Sequence, residues 1–327
     1  MIERLRVENF KSIRALELGC KRVNLFIGEP NTGKSNILET LGILSYFQYN
    51  RRLQSFVRFR IMSDIFYDHA LDNNVTIAFD QKVTKKILNI TFKDGTFRGM
   101  YSDGQVGQWH HIFSSGYDGG MRQLTPHKDF EQFKFYRFEV RENFPGQDSS
   151  FLHPPDGDNL MAVVSSNKEL RILSKKIFQH FGLTPVYRPE EDKMEVQKQL
   201  EDVIIGFPYS LASDTLQRLV FHLTAIYSNR SSILAFEEPE SHAFPYYTKY
   251  LGETIALDKN ENQYFISTHN PYFLISMLEK TPKPEIAIFN TYLENYQTKV
   301  KVLTEADMKE VLEKGTDIFF DIERFRA

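Results

Sequence analysis

Apolar residues along this chain fall into short blocks whose period shifts between two and nearly four, and the shifts mark out the elements. Ile2, Leu5 and Val7 begin an extended pattern, Asn9 to Ser12 reads as a turn, and Ile13 to Leu18 alternates again. Val23 to Ile27 is an apolar run of strand type, so residues 2–27 predict two or three strands. From Ser35 the spacing changes: Ile37, Leu38, Leu41 and Leu44 recur at helical intervals, and the helix ends near Tyr49 to Arg52. Residues 53–145 hold strand-like runs at Val75–Phe79, Ile87–Phe92, Thr96–Tyr101 and Phe133–Val140. Turn chemistry at Asp72-Asn73-Asn74, Lys93-Asp94-Gly95 and Ser102-Asp103-Gly104 separates them, with Asp94-Gly95 a hairpin signal. The prediction is an antiparallel region interrupting an α/β domain.

Asn143 to Gly157 reads as a loop and Leu160 to Phe181 as a single helix, capped by Asp158 or Asn159 and followed by Gly182. Two or three short strands are expected over residues 183–212. Helices then cover Thr215–Tyr227, Pro245–Leu257 and a stretch starting over Pro271–Leu278. Strands lie at Ile233–Phe236, Tyr264–Ser267, Ile286–Phe289 and Thr298–Val302. A last helix, Glu305–Glu313, opens on Thr304 as cap. There is no internal repeat and no long charged coil.

Composition narrows this little. The 327 residues are 41% hydrophobic and 25% charged, ordinary for a soluble globular chain of one large or two modest domains. The 28 Phe and 16 Tyr, against one Trp, read as core and strand filling. A net charge of −3 gives no global reason to expect nucleic-acid binding. The one cysteine, Cys20, allows no internal disulfide framework and fits a reducing cytosol. The N-terminus lacks a signal-peptide core, and no apolar run would span a bilayer. The expectation is a cytoplasmic protein without a membrane partner.

Candidate chemistry changes the picture more. Gly28-Glu29-Pro30-Asn31-Thr32-Gly33-Lys34-Ser35, with Asn36 next, fits the phosphate-loop pattern G-x-x-x-x-G-K-[ST] between a strand and a helix. Such glycines let backbone N–H groups turn onto phosphates, and the helix presents its positive end to them. Lys34 would reach the β- and γ-phosphates of ATP, and the Ser35 hydroxyl would ligate Mg²⁺. The run Ile233 to Phe236 delivers Glu237 and Glu238 to a strand end, where ligands sit in open α/β sheets. Glu237 would hold Mg²⁺ directly or through water, and Glu238 would polarise the attacking water. Tyr264 to Ser267 similarly delivers His269, suited to contact a γ-phosphate oxygen. Ser213, Asp214 and Thr215 open the helix before the acidic strand. They read either as an ordinary N-cap or as a helix end offered to a nucleotide held by a second subunit.

Together these residues resemble the ABC-type ATPase heads of the structural-maintenance-of-chromosomes, RecF and OLD group, and within it stand-alone bacterial AAA family ATPases related to OLD nucleases. Asn9-Phe10-Lys11-Ser12-Ile13 resembles that group's N-terminal turn, Ile27 to Leu38 its phosphate loop, and Phe236 to His242 its acidic strand. Ser267-Thr268-His269 resembles its switch histidine. The resemblance implies a P-loop α/β fold of ABC-ATPase type, with a mixed central sheet, an antiparallel β subdomain and a helical signature lobe. It implies a nucleotide-binding core over 1–52 and 228–327, the antiparallel insert over 53–145 and the signature lobe over 146–227. It also implies ATP hydrolysis at a head-to-head dimer interface, with Ser213 to Thr215 as the signature, although the glycine usual there is absent. The group's glutamine loop is not placed; Gln132 and Gln147 are the candidates.

About sixty residues follow His269, short for a nuclease domain, and Asp307, Asp317, Asp321 and Glu323 read as a solvated acidic face. The leading expectation is an ATP-driven switch controlling a separate effector protein, by kinship in a phage-defence or toxin–antitoxin-like system. The alternative is a DNA-binding repair ATPase, for which Arg51, Arg52, Arg58 and Arg60 interleaved with Phe56 and Phe59 are the best basic–aromatic stretch. A solvated helix face is the plainer reading of that stretch. A small-molecule kinase fits less well, because Glu237, Glu238 and His269 favour water activation over an acceptor pocket.

Overall fold

The computed structural model describes residues 1–49, 52–105, 107–315, 319 and 322–326. The chain opens with β1 (Arg4–Phe10), β2 (Ile13–Gly19) and β3 (Val23–Ile27), followed by the long helix α1 (Lys34–Tyr49). Next come β4 (Val75–Gln81), β5 (Thr84–Lys93), β6 (Thr96–Ser102), β7 (His110–Ser115), β8 (Met121–Leu124) and β9 (Phe133–Tyr136). Helices α2 (Leu160–Ser166) and α3 (Lys168–Gln179) lead to a meander of β10 (Thr184–Arg188), β11 (Lys193–Leu200) and β12 (Val203–Pro208). The remainder alternates: α4 (Asp214–Ser228), β13 (Ile233–Glu237), α5 (Pro245–Ala256), β14 (Gln263–Ser267) and α6 (Pro271–Lys280). The hairpin β15 (Ile286–Glu294) and β16 (Gln297–Val302) and helix α7 (Glu305–Lys314) follow.

Six strands make the central sheet in the order β16-β15-β3-β14-β13-β9, parallel throughout except for β16. The apolar run of β3 is buried on both faces, as parallel strands usually are. Period two sorts its side chains: Val23, Leu25 and Ile27 enter one core, Phe26 the other. The first core continues into helices α2 to α7. The second joins the central sheet to α1 and to a seven-stranded antiparallel sheet, β2-β1-β4-β5-β6-β7-β8. Helix α1 is therefore buried along almost its whole length between two sheets. The architecture is the mixed sheet, antiparallel subdomain and helical lobe expected of an ABC-type P-loop ATPase. No helix among the described residues is long and apolar enough to cross a membrane.

Three local expectations are corrected. The run expected at Phe133–Val140 as a fourth antiparallel strand stops at Tyr136 and pairs parallel with β13, so it belongs to the central sheet. Its four residues are all buried, and a strand covered on both faces carries no alternation to reveal its partner. The antiparallel sheet instead takes β7 and β8, whose polar, irregular composition gives no strand signal. Finally, the helix expected over 160–181 is two helices. Asn167 adopts extended φ/ψ, and its Oδ1 accepts from the backbone N–H of Glu169 (2.9 Å) and Leu170 (3.1 Å), so it caps α3 instead of continuing α2.

Candidate functional site

Strands β3, β13 and β14 run parallel, so the loops leaving their C-terminal ends meet at one edge of the sheet. After Ile27 the chain needs glycine twice. Gly28 has φ +139, and a Cβ there would lie 2.1 Å from the carbonyl oxygen of Thr291 on β15. Gly33 has φ +98, and a Cβ there would lie 2.0 Å from Oγ1 of Thr298 on β16. The loop is thus pressed against the β15–β16 hairpin. Thr298 Oγ1 donates to the carbonyl of Thr32 (3.0 Å) and shares a hydrogen bond with Ser12 Oγ (2.6 Å). Ser12 Oγ in turn accepts from Asn36 Nδ2 (2.7 Å).

Lys34 is buried, and its Nζ donates to the loop carbonyls of Gly28 (2.9 Å) and Glu29 (2.6 Å). Among the described residues no carboxylate lies within ion-pair distance of it. Burial lowers its pKa to about 8, against the pull of Glu238 and Glu29. A buried ammonium held only by carbonyls is a site short of an anion. The cleft above it has a volume of about 580 Å³. Pro30 to Asn36, Arg58, Glu238, His269, Leu293 and Tyr296 line it, and the strand order puts Glu238 and His269 on one flank of the loop after β3 and Leu293 and Tyr296 on the other.

Glu238 has φ +44, an unusual value for a residue other than glycine, and its N–H donates to the carbonyl of Ser267 (3.1 Å). The turn aims its carboxylate at His269, whose Nε2 lies 3.1 Å from Oε1, while Ser241 Oγ donates to Oε2 (3.1 Å). The hydrogen bond from His269, then the neighbouring charges, hold Glu238 below the usual carboxylate range in spite of partial burial. Glu240, two residues on, is buried, accepts from Thr268 Oγ1, and is pushed up to about 7 by desolvation.

Glu237 does not line the cleft. Its Oε1 lies 3.0 Å from Arg58 Nη2 and its Oε2 lies 3.2 Å from Arg137 Nη2. Both guanidiniums also reach the fully buried Glu39 of α1, at 2.7 Å from Arg58 and 3.4 Å from Arg137, and Lys11 adds a further bond to it. Arg137 follows directly on β9, and neither it nor Glu39 stood out in the sequence. The motif turn Asn9 to Ser12 thereby touches the site twice, through Lys11 to Glu39 and through Ser12 to Asn36.

Other candidates lie elsewhere. Ser213 to Thr215 stand at the start of α4 and do not line this cleft. The Ser213 side chain makes no cap bond, Asp214 pairs with Arg218 (2.6 Å), and Thr215 Oγ1 donates to the carbonyl of His242 (2.7 Å). Ser213 and Thr215 instead border a separate hollow with Phe244 and Tyr246. Gln132 bonds Gln81 and Gln147 bonds Asp192, both outside the cleft. The basic–aromatic stretch is no exposed helix face. It runs through irregular 3-10 turns, Phe56 is in the core, and Arg58 is engaged by carboxylates. Asp307 caps α7 with Thr304, and Glu323 pairs with Arg326 (3.0 Å). Arg51, Asp317 and Asp321 lie outside the described residues.

Residues 88–276 match the family model described as "AAA domain, putative AbiEii toxin, Type IV TA system", and residues 1–151 match one described as "AAA ATPase domain". Among solved structures the chain is similar to an Smc head bound to the C-terminal winged-helix domain of ScpA. The two share 14% identity over 94% of this chain and 99% of that one, with a TM-score of 0.55. It is also similar to an Smc head with an extended coiled coil, bound to the C-terminal domain of ScpA, from Pyrococcus furiosus. Here identity is 13% over 96% of this chain and 98% of that one, with a TM-score of 0.53. Comparison with curated proteins gives no match.

Proposed function

The chain belongs to the AAA domain family matched over residues 88–276 and has the fold of SMC-type ABC ATPase heads; from that premise we propose that it is an ATP-binding and ATP-hydrolysing switch that dimerises on nucleotide and controls a separate effector. The observation that carries this reading is the meeting, in one cleft, of an anion-seeking buried Lys34 with the paired Glu238 and His269. On this reading the N–H groups of Gly28 to Ser35 and the Lys34 ammonium hold the β- and γ-phosphates of ATP. Glu238, ionised and oriented by its bonds to His269 and Ser241, accepts the proton of the attacking water. His269 stays beside the γ-phosphate as the positioning group.

The oxygen donors present suit Mg²⁺: the Ser35 hydroxyl lines the cleft, and Glu237 stands behind it with its carboxylate taken up by Arg58 and Arg137. When bound, Mg²⁺ would be held by the Ser35 hydroxyl with Glu237 and would supply charge neutralisation to the triphosphate. Glu237 would hold it on release from Arg58 or Arg137, or through a water molecule.

The effector is a separate protein; the Smc heads of similar fold likewise bind a domain of another protein, ScpA. The family description names a type IV toxin–antitoxin system, and we place the switch in such a system or in phage defence. Ser213, Asp214 and Thr215, remote from the cleft of their own chain, then close the site of a second copy. Mixing tests this. Lys34→Ala and Ser213→Arg chains, each inactive alone, should regain about a quarter of wild-type ATP turnover when combined in equal amounts, because one composite site of the mixed dimer is intact. No recovery from two well-folded variants would overturn the shared-site reading. Turnover stimulated by DNA, with a steep salt dependence, would overturn the effector reading.

A further inference from the structure

We propose that the tip of the β15–β16 hairpin, Leu293 with Tyr296, is the shelf on which the base of a bound purine nucleotide stacks. The proposal rests on the phosphate-loop reading above and adds the other end of the ligand to it. Sheet order sets the direction. Strand β3 and its loop lie between β14 and β13, which carry His269 and Glu238, and β15 and β16, which carry the hairpin. With the γ-phosphate against Glu238 and His269, the nucleoside extends to the opposite wall of the cleft, where Leu293 and Tyr296 stand.

Both side chains reach solvent. Tyr296 is 92% exposed and Leu293 38%, and among the described residues no aromatic ring packs on Tyr296. The backbone adds an independent sign. Glu294 pairs with Gln297, so Asn295 and Tyr296 form a two-residue turn, with φ +48 and +60. Such turns favour asparagine followed by glycine. Asparagine is present, but a tyrosine holds the glycine place in the left-handed region, where its Cβ is strained. A strained, solvent-facing ring at the lip of a phosphate cleft fits a part kept for binding. The hairpin is also well placed to present it. Thr298, two residues past Tyr296, is bonded to Thr32 and Ser12, so the tip is held in fixed register with the loop. Stacking reads area and not edge pattern, which favours purines and discriminates weakly between adenine and guanine.

The test compares the affinity of the full chain for ATP and for inorganic tripolyphosphate, each with Mg²⁺. Tyr296→Ala should weaken ATP about tenfold or more and leave tripolyphosphate unchanged, while Tyr296→Phe should retain ATP affinity. Tyr296→Gly should melt no lower than wild type, because glycine suits the turn, yet lose ATP affinity like the alanine variant. Lys34→Ala should weaken both ligands; if it weakens neither, the phosphate-loop reading fails first. Equal loss of both ligands in Tyr296→Ala, or of neither, would overturn the shelf. So would unchanged ATP affinity with impaired ATP-dependent dimerisation, which would assign the tip to the interface.

Discussion

The Nε2 of His269 lies 3.1 Å from Oε1 of Glu238, so the ends of the adjacent parallel strands β14 and β13 are tied together directly above the phosphate loop. The contact depends on a left-handed Glu238, with φ +44, fixed by its N–H bond to the Ser267 carbonyl. Strain at such a residue persists only where its surroundings impose it. Here it turns a carboxylate that would otherwise continue the strand direction toward the histidine and the cleft.

Glu238→Gln should therefore bind ATP as the wild type does but hydrolyse it at least 100-fold more slowly, because the amide accepts no proton from water at neutral pH. With hydrolysis blocked, the ATP-bound dimer should accumulate and be visible by size-exclusion chromatography with ATP. Normal turnover in this variant would remove Glu238 from the chemistry.

With Lys34 on the phosphates as proposed, nucleotide affinity should depend on pH in a defined direction. Burial lowers its pKa to about 8 in the free protein, and phosphate contact favours the charged form and raises it. Below pH 8 the free lysine already carries its proton, and affinity should be level. Above it, binding must take up a proton, and affinity should fall by up to about tenfold per pH unit until the bound-state pKa is passed. Titration calorimetry at pH 8.5 in two buffers of different ionisation enthalpy should show proton uptake in the wild type and none in Lys34→Arg.

Legibility followed the range of the interactions. The phosphate loop, the acids Glu237 and Glu238 at the end of β13 and His269 stood out because each is a local pattern, and parallel pairing of their strands brings them together. The left-handed turn at Asn9 to Ser12 was readable only as a motif; its physical role, bonds from Lys11 to Glu39 and from Asn36 to Ser12, joins positions 28 and 24 residues apart. Arg137 was invisible, since it meets Glu237 from 100 residues away through a strand whose partner the sequence does not reveal. Without Arg137, the pairing of Glu237 between two arginines is not legible either. Ser213 to Thr215 remained undecided for a different reason: within one chain they touch nothing in the cleft.

Glu240 offers a test of the loop after the acidic strand that does not involve turnover. Its folded pKa is raised from 4.5 to about 7, chiefly by burial, so the fold holds this proton more tightly than the unfolded chain does. The resulting stability is fully present below pH 4.5, falls as pH rises through about 7, and is absent above it. The shift corresponds to at most about 3 kcal/mol, which for a chain of this size is a fall of several degrees in melting temperature. Glu240→Gln keeps an oxygen to accept from Thr268 Oγ1 but has no proton to lose. The difference in melting temperature between wild type and variant should therefore shift in the variant's favour between pH 5 and pH 8. Taking the difference cancels other groups titrating in that window, such as His153, whose pKa is raised by its bond to Asp158. Parallel melting curves across that range would mean that Glu240 is ionised throughout and that the buried, protonated carboxyl is not part of the fold.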